Sequence, residues 1–115
     1  MARTLLIVDD HPGFRASART LFESEGYVIV GEAEDGAAAV RLTEELHPEI
    51  VLLDVHLPDL HGFDVAERLR RLQDAPEVVL TSSRADYGSA VGSTGARGFV
   101  AKDELSVPAV EALLS

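Results

Sequence analysis

Reactive side chains stand where the hydrophobic runs of this sequence stop. Asp9 and Asp10 follow Thr4-Leu5-Leu6-Ile7-Val8, and Asp54 ends Ile50-Val51-Leu52-Leu53. Thr81 and Ser82 follow Val78-Val79-Leu80, and Lys102 follows Gly98-Phe99-Val100-Ala101. Unbroken aliphatic runs read as parallel strands buried on both faces. A lone carboxylate is too costly to bury in such a core, so Asp54 must emerge at the carboxyl edge of its strand. Open α/β sheets place their ligand sites at that edge. Parallel strands share the edge, which brings carboxylates, hydroxyls and one ammonium to a single rim. The carboxylates repel one another, and a hard divalent cation resolves the repulsion; oxygen donors with water suit Mg²⁺. Asp9 or Asp10, Asp54 and a backbone carbonyl near His56 are the expected ligands. A carboxylate held on Mg²⁺ is also a nucleophile toward phosphorus, giving an aspartyl phosphate. Lys102 and the Thr81 hydroxyl are placed to stabilise charge on the transferred group. Thr81 fits the strand end better than Ser82, which is the alternative.

The elements that must position these groups alternate between strand and helix. After the first strand, Pro12 suits a first helical turn with Asp10 as its cap. A helix from Pro12 to about Glu25 would bury Phe14, Ala18, Leu21 and Phe22, and Gly26 would stop it. Tyr27 to Ala33 reads as a strand weakened at Gly31. Asp35-Gly36 opens a helix with Ala39, Val40, Thr43 and Leu46 inward, closed by His47-Pro48. After the Asp54 strand, Pro58 and Gly62 force a loop, and a helix follows from about Asp64 to Leu72, with Asp59 and Asp64 as turn and cap residues. Asp74-Ala75-Pro76 turns the chain into the fourth strand. Between Arg84 and Ala96 the apolar spacing is helical, but Gly88, Gly92 and Gly95 interrupt it, which predicts a short or mobile fourth helix. The last helix runs from Ser106, its cap, to Leu114. Five alternations demand right-handed crossovers and a mostly parallel sheet with helices on both faces.

Composition narrows the function. The 115 residues suit one domain spanning 1–115, with a real core. There is no cysteine, which removes thiol catalysis and zinc–thiolate sites. No apolar run approaches the roughly 20 residues needed to cross a bilayer, and no secretory signal is visible, so the expected location is cytoplasmic. The net charge of −10 argues against direct nucleic-acid binding and suits a basic partner or a bound cation. His11, His47, His56 and His61 are scattered and read as surface loop residues.

Val8-Asp9-Asp10-His11, Leu53-Asp54 with Pro58 and Gly62 after it, Leu80-Thr81-Ser82 and Gly98-Phe99-Val100-Ala101-Lys102 together resemble the receiver domains of two-component response regulators. The resemblance covers the whole chain. It implies a flavodoxin-like, doubly wound five-stranded sheet of order 2-1-3-4-5. It implies Asp54 as phosphoacceptor, Asp9 and Asp10 as the acid pair holding Mg²⁺, and Lys102 as the lysine that contacts the phosphoryl group. Thr81 would be the switch hydroxyl and Phe99 the switch aromatic. Phosphorylation would reshape the surface made by the fourth helix, fifth strand and last helix. A histidine kinase or phosphotransfer protein would donate the group, and a downstream protein or a second copy of the chain would read the surface. Asp103 stands where many receivers have proline. That variant, with Asp9-Asp10-His11-Pro12, resembles receivers attached to LuxR-type DNA-binding domains, which makes the chain either a stand-alone regulator or a domain of a longer one.

Two other functions compete with a self-phosphorylating switch that is not a turnover enzyme. A phosphorylation-independent pseudo-receiver usually lacks an acid, the acceptor or the lysine, and this chain keeps them all. A Mg²⁺-dependent phosphohydrolase with an aspartyl nucleophile usually carries it on the first strand with a second acid two residues on, where this chain has His56. A Rossmann nucleotide site is not supported, because the first strand runs into Asp9-Asp10 rather than a glycine-rich loop.

Overall fold

The computed structural model describes residues 3–83 and 94–115. The aliphatic runs form five parallel strands: β1 (Thr4–Val8), β2 (Val28–Ala33), β3 (Ile50–Asp54), β4 (Glu77–Ser82) and β5 (Gly98–Ala101), in the order β2-β1-β3-β4-β5. The described helices are α1 (Pro12–Glu23), α2 (Gly36–Leu46), α3 (Gly62–Arg70) and α4 (Val107–Leu114), with a 3₁₀ turn over Lys102–Glu104. This is the flavodoxin-like arrangement expected from the sequence. The predicted fourth helix between Arg84 and Ala96, with Gly88 and Gly92, falls almost wholly outside the described residues.

Strand alternation divides the core in two. Leu6, Val8, Val51, Leu53 and Leu80 face one layer, where Ala39 of α2 and Val65, Ala66 and Leu69 of α3 cover them. Leu5, Ile7, Ile50, Leu52 and Val79 face the other, under Ala18 and Phe22 of α1 and Val107 and Val110 of α4. Every residue of β3 is buried, Asp54 included. That central position is why the run tolerates no polar residue before its last.

Several local readings need correction. The cap position of α1 is His11 rather than Asp10, without a side-chain cap bond. The helix ends at Glu23, and Gly26 takes φ +89° just beyond it. Leu46 is 39% exposed rather than inward, because α2 ends there and His47 turns left-handed at φ 49°. α3 begins at Gly62, two residues before the expected cap Asp64, and its cap is His61, whose ring accepts the Phe63 N–H. At Gly31 the pairing of β2 with β1 slips by one residue, between Ile29↔Leu5 and Gly31↔Leu6. Among the described residues no helix is long and apolar enough to cross a membrane.

Candidate functional site

Register alone brings the reactive residues together. Val8 pairs with Leu53, Asp54 with Thr81, Thr81 with Val100, and Ser82 with Ala101. The next residues out are Asp9 on β1 and Lys102 after β5, so both stand at the rim where Asp54 ends its strand. Asp9 is fully buried, Asp54 is 2% exposed and Thr81 is fully buried. Asp10 is exposed.

Lys102 is the local counterion. Its Nζ lies 2.7 Å from Asp9 Oδ2 and 3.4 Å from Asp54 Oδ2, and it rests 4.7 Å from the centre of the Phe14 ring. Asp9 Oδ1 accepts the His11 N–H at 2.8 Å, and Asp54 Oδ1 accepts the His56 N–H at 3.3 Å. Burial, followed by the neighbouring Asp9 carboxylate, pushes the Asp54 carboxyl above the usual carboxylate range; Lys102 and the His56 N–H pull it back only in part. The Thr81 hydroxyl has no hydrogen-bond partner among the described residues. A buried hydroxyl without a partner is costly and needs an explanation.

These donors fit a hard divalent cation. Asp9, Asp10 and Asp54 each bring a carboxylate oxygen into a group no wider than 4.8 Å. Asp9 Oδ2 is buried and, among the described residues, takes no aligned hydrogen bond and meets the Lys102 ammonium. Oxygen donors of this kind suit Mg²⁺. His11, an exposed residue as the sequence reading has it, lies beside the same group. Its Nδ1 lies 3.1 Å from Asp9 Oδ1 and 3.0 Å from Asp10 Oδ1.

Two supporting residues were missed. Arg15, one turn into α1, donates to the Asp9 carbonyl at 2.6 Å and to Glu32 at 3.0 Å. Glu32 also receives Arg19 at 2.7 Å, and that bond, more than any other, holds its carboxyl below the usual range. The network ties α1 and β2 to the backbone of the first acid. Asp59, expected only as a turn residue, accepts the N–H groups of Gly36 and Ala37 at the start of α2. Phe99 lies half-buried on β5, packed at the edge of the layer under α2 and α3.

A family model for the response regulator receiver domain matches residues 5–112. The chain belongs to that family. Among curated proteins this receiver is 38% identical over 104 residues to the transcriptional regulatory protein YdfI of Bacillus subtilis, covering 89% of the chain and 49% of the relative. It is 38% identical over 101 residues to the DNA-binding transcriptional activator EvgA of Escherichia coli K12, covering 86% of the chain and 50% of the relative. The receiver thus spans about half the length of these relatives. Among solved structures it is similar to a LuxR-family two-component response regulator from Aurantimonas sp. SI85-9A1, with TM-score 0.88 and 33% identity over 99% of this chain and 86% of that one. The signal receiver domain of the response regulator NarL from Mycobacterium tuberculosis gives TM-score 0.85 and 34% identity over 98% and 94%. The LuxR-type resemblance drawn from Asp9-Asp10-His11-Pro12 and Lys102-Asp103 agrees with these relatives.

Proposed function

We propose that this receiver is a phosphorylation-controlled switch with Asp54 as the acceptor. The observation that carries the reading is the buried pair Asp9 and Asp54 sharing one ammonium, Lys102, beside a Thr81 hydroxyl without a partner among the described residues. Asp9 and Asp10, with Asp54 and the His56 carbonyl, would hold Mg²⁺, which supplies charge neutralisation to the acceptor and the incoming phosphoryl group. Asp54 attacks the phosphorus of a phosphohistidine on a histidine kinase or phosphotransfer protein. An O–P bond forms, the P–N bond breaks, and the electron pair leaves on the imidazole nitrogen. Lys102, already within reach of Asp54, turns to the phosphoryl oxygens as its carboxylate partner becomes an acyl phosphate. The Thr81 hydroxyl gains an acceptor in the phosphoryl group, and Phe99 follows on β5, altering the surface of β5 and α4. The chemistry is self-modification followed by slow hydrolysis, not turnover of an external substrate, in a cytoplasmic setting. By analogy with the transcriptional regulators it resembles, the reader of that surface is a DNA-binding module in a longer protein or a second copy of the receiver; the acidic receiver does not itself bind DNA.

The test is intact-protein mass after incubation with acetyl phosphate, with and without Mg²⁺. A Mg²⁺-dependent gain of one phosphoryl group, absent in Asp54→Asn, is the expected result. No gain from acetyl phosphate or from a histidine kinase that phosphorylates a control receiver would overturn the proposal.

A further inference from the structure

The loop from Val55 to His61 carries His56 past the acceptor, and it is tied down more firmly than its connection requires. It closes on itself through the Gly62 N–H to the Val55 carbonyl at 2.7 Å and a β-bridge between His56 and His61. Its outer half is tied to another element by Asp59, whose Oδ1 accepts the Gly36 N–H at 2.7 Å and whose Oδ2 accepts the Ala37 N–H at 3.0 Å. Helix α2 already has a cap of its own, because the Asp35 side chain accepts the Ala38 N–H at 2.8 Å. One carboxylate is the usual provision for a helix start. The second comes from the loop, and the packing there is close: a Cβ on Gly36 would lie 2.9 Å from both Leu60 and Val65.

The geometry points to Asp59 as a positioning residue for the cation site. By clamping the loop onto the first turn of α2 it holds His56 beside Asp54, so the protein ligands are arranged before the ion arrives. This rests on the reading that the Asp54 rim takes Mg²⁺. Groups behind the ligands of a metal site set affinity by fixing ligand orientation. Loosening the loop adds the cost of ordering it to each binding event.

Asp59→Ala, Asp59→Asn and Asp35→Ala distinguish positioning from helix stability, since Asp59→Ala and Asp35→Ala each remove one carboxylate from the same helix start. Mg²⁺ is titrated into each full chain by amide chemical shifts, and the rate of phosphorylation by acetyl phosphate is measured against Mg²⁺ concentration. Asp59→Ala should weaken Mg²⁺ binding roughly tenfold. It should raise the Mg²⁺ needed for half-maximal rate by the same factor and leave the rate at saturating Mg²⁺ near that of wild type. Asp59→Asn, which keeps one acceptor oxygen, should fall between, and it decides the matter if Asp59→Ala fails to fold. Asp35→Ala should lower thermal stability without changing Mg²⁺ affinity. Equal weakening by Asp35→Ala and Asp59→Ala, or by neither, overturns the proposal while leaving the receiver reading intact. A wild-type protein that binds no Mg²⁺ would overturn both.

Discussion

Gly62 offers a test of how rigidly Asp54 is framed. It is the first residue of α3, and a Cβ there would lie 2.4 Å from the Asp54 carbonyl oxygen and 2.6 Å from Val55 Cα. Both are backbone atoms, and Asp54 belongs to a fully buried strand, so neither can swing aside as a side-chain tip could. Gly62→Ala must move the start of α3 by roughly 1 Å to restore ordinary contact distances. That shift also breaks the 2.7 Å bond from the Gly62 N–H to the Val55 carbonyl. Overpacking of this kind costs about 1–3 kcal/mol, and a lost hydrogen bond about 1 kcal/mol. The gain in helix propensity is below about 1 kcal/mol and small at a first helical position. The net expectation is a loss of about 2–3 kcal/mol, or a fall in Tm of roughly 10 °C for a chain of this length. Gly13→Ala is the internal control: it also lies at a helix start, nothing is within 4 Å of its Cβ position, and it should gain about 0.5–1 kcal/mol. Urea and thermal melts followed by far-UV circular dichroism measure both. A Gly62→Ala protein within about 0.5 kcal/mol of wild type would refute the reasoning, because it would mean the turn below Asp54 relaxes freely.

Other expectations concern the site itself. Asp54 has a raised carboxyl pKa when folded, so its stabilising contribution is full below the unfolded value of 3.8 and is lost as pH rises through the folded one. Asp54→Asn without metal should therefore melt a few degrees above wild type at pH near 7, with the gap closing as pH falls toward 4; a constant gap would show that burial does not penalise the ionised form. Lys102→Met keeps an alkyl chain over Phe14 but removes the ammonium from Asp9 and Asp54. It should tighten Mg²⁺ binding, because a competing cation is gone, while slowing phosphorylation by acetyl phosphate about a hundredfold or more; changes of the same sign in affinity and rate would count against it. Thr81→Val removes a buried hydroxyl that has no described partner. It should leave stability unchanged or raise it by about 1 kcal/mol, while removing any phosphorylation-dependent change in Phe99 shifts by NMR. Tyr27→Phe deletes a bond from the Tyr27 hydroxyl to Glu111 at 2.7 Å, in a setting where burial pushes the phenol up to about 12. It should cost about 1 kcal/mol without changing phosphorylation rate.

The parts of the molecule that were legible share one physical origin. Continuous apolar runs that stop at a charge fix both the strand and its end, so Asp9, Asp54, Thr81 and Lys102 could be placed at one rim before any pairing was known. Register supplied the rest, since Val8↔Leu53 and Asp54↔Thr81 follow once the strands are parallel and in order. Residues whose roles depend on partners far along the chain were not legible. Asp59 meets Gly36 across 23 residues, and nothing in the order Pro58-Asp59-Leu60 distinguishes it from an ordinary turn aspartate. Arg15 reads as the polar side of an amphipathic helix until β2 places Glu32 beside it. The helix ends were misjudged for a related reason: His11 and His61 occupy cap positions where Asp10 and Asp64 are the stronger formers by type, because the strand ends and the tight turn at Gly62 decide where each helix begins.

The unfavourable features of the fold gather at the same rim. Asp9 is wholly buried with one counterion shared, Asp54 is held above its ordinary titration range, and the Thr81 hydroxyl has no described partner. Polar groups elsewhere in the described core are matched, as Thr43 is by the Ala39 carbonyl. Local rules broken together in one place, against a background where they are kept, mark the part of a chain that selection has shaped for something other than stability. On the proposed reading, the two steps that load the switch would relieve all three. A cation beside Asp9 and Asp54 would answer the repulsion, and a phosphoryl group on Asp54 would remove its carboxylate and give the Thr81 hydroxyl an acceptor. The stability withheld from the resting receiver would then be available to drive the proposed change of surface, and its size should appear as the difference in melting temperature between the resting and the phosphorylated, Mg²⁺-bound protein.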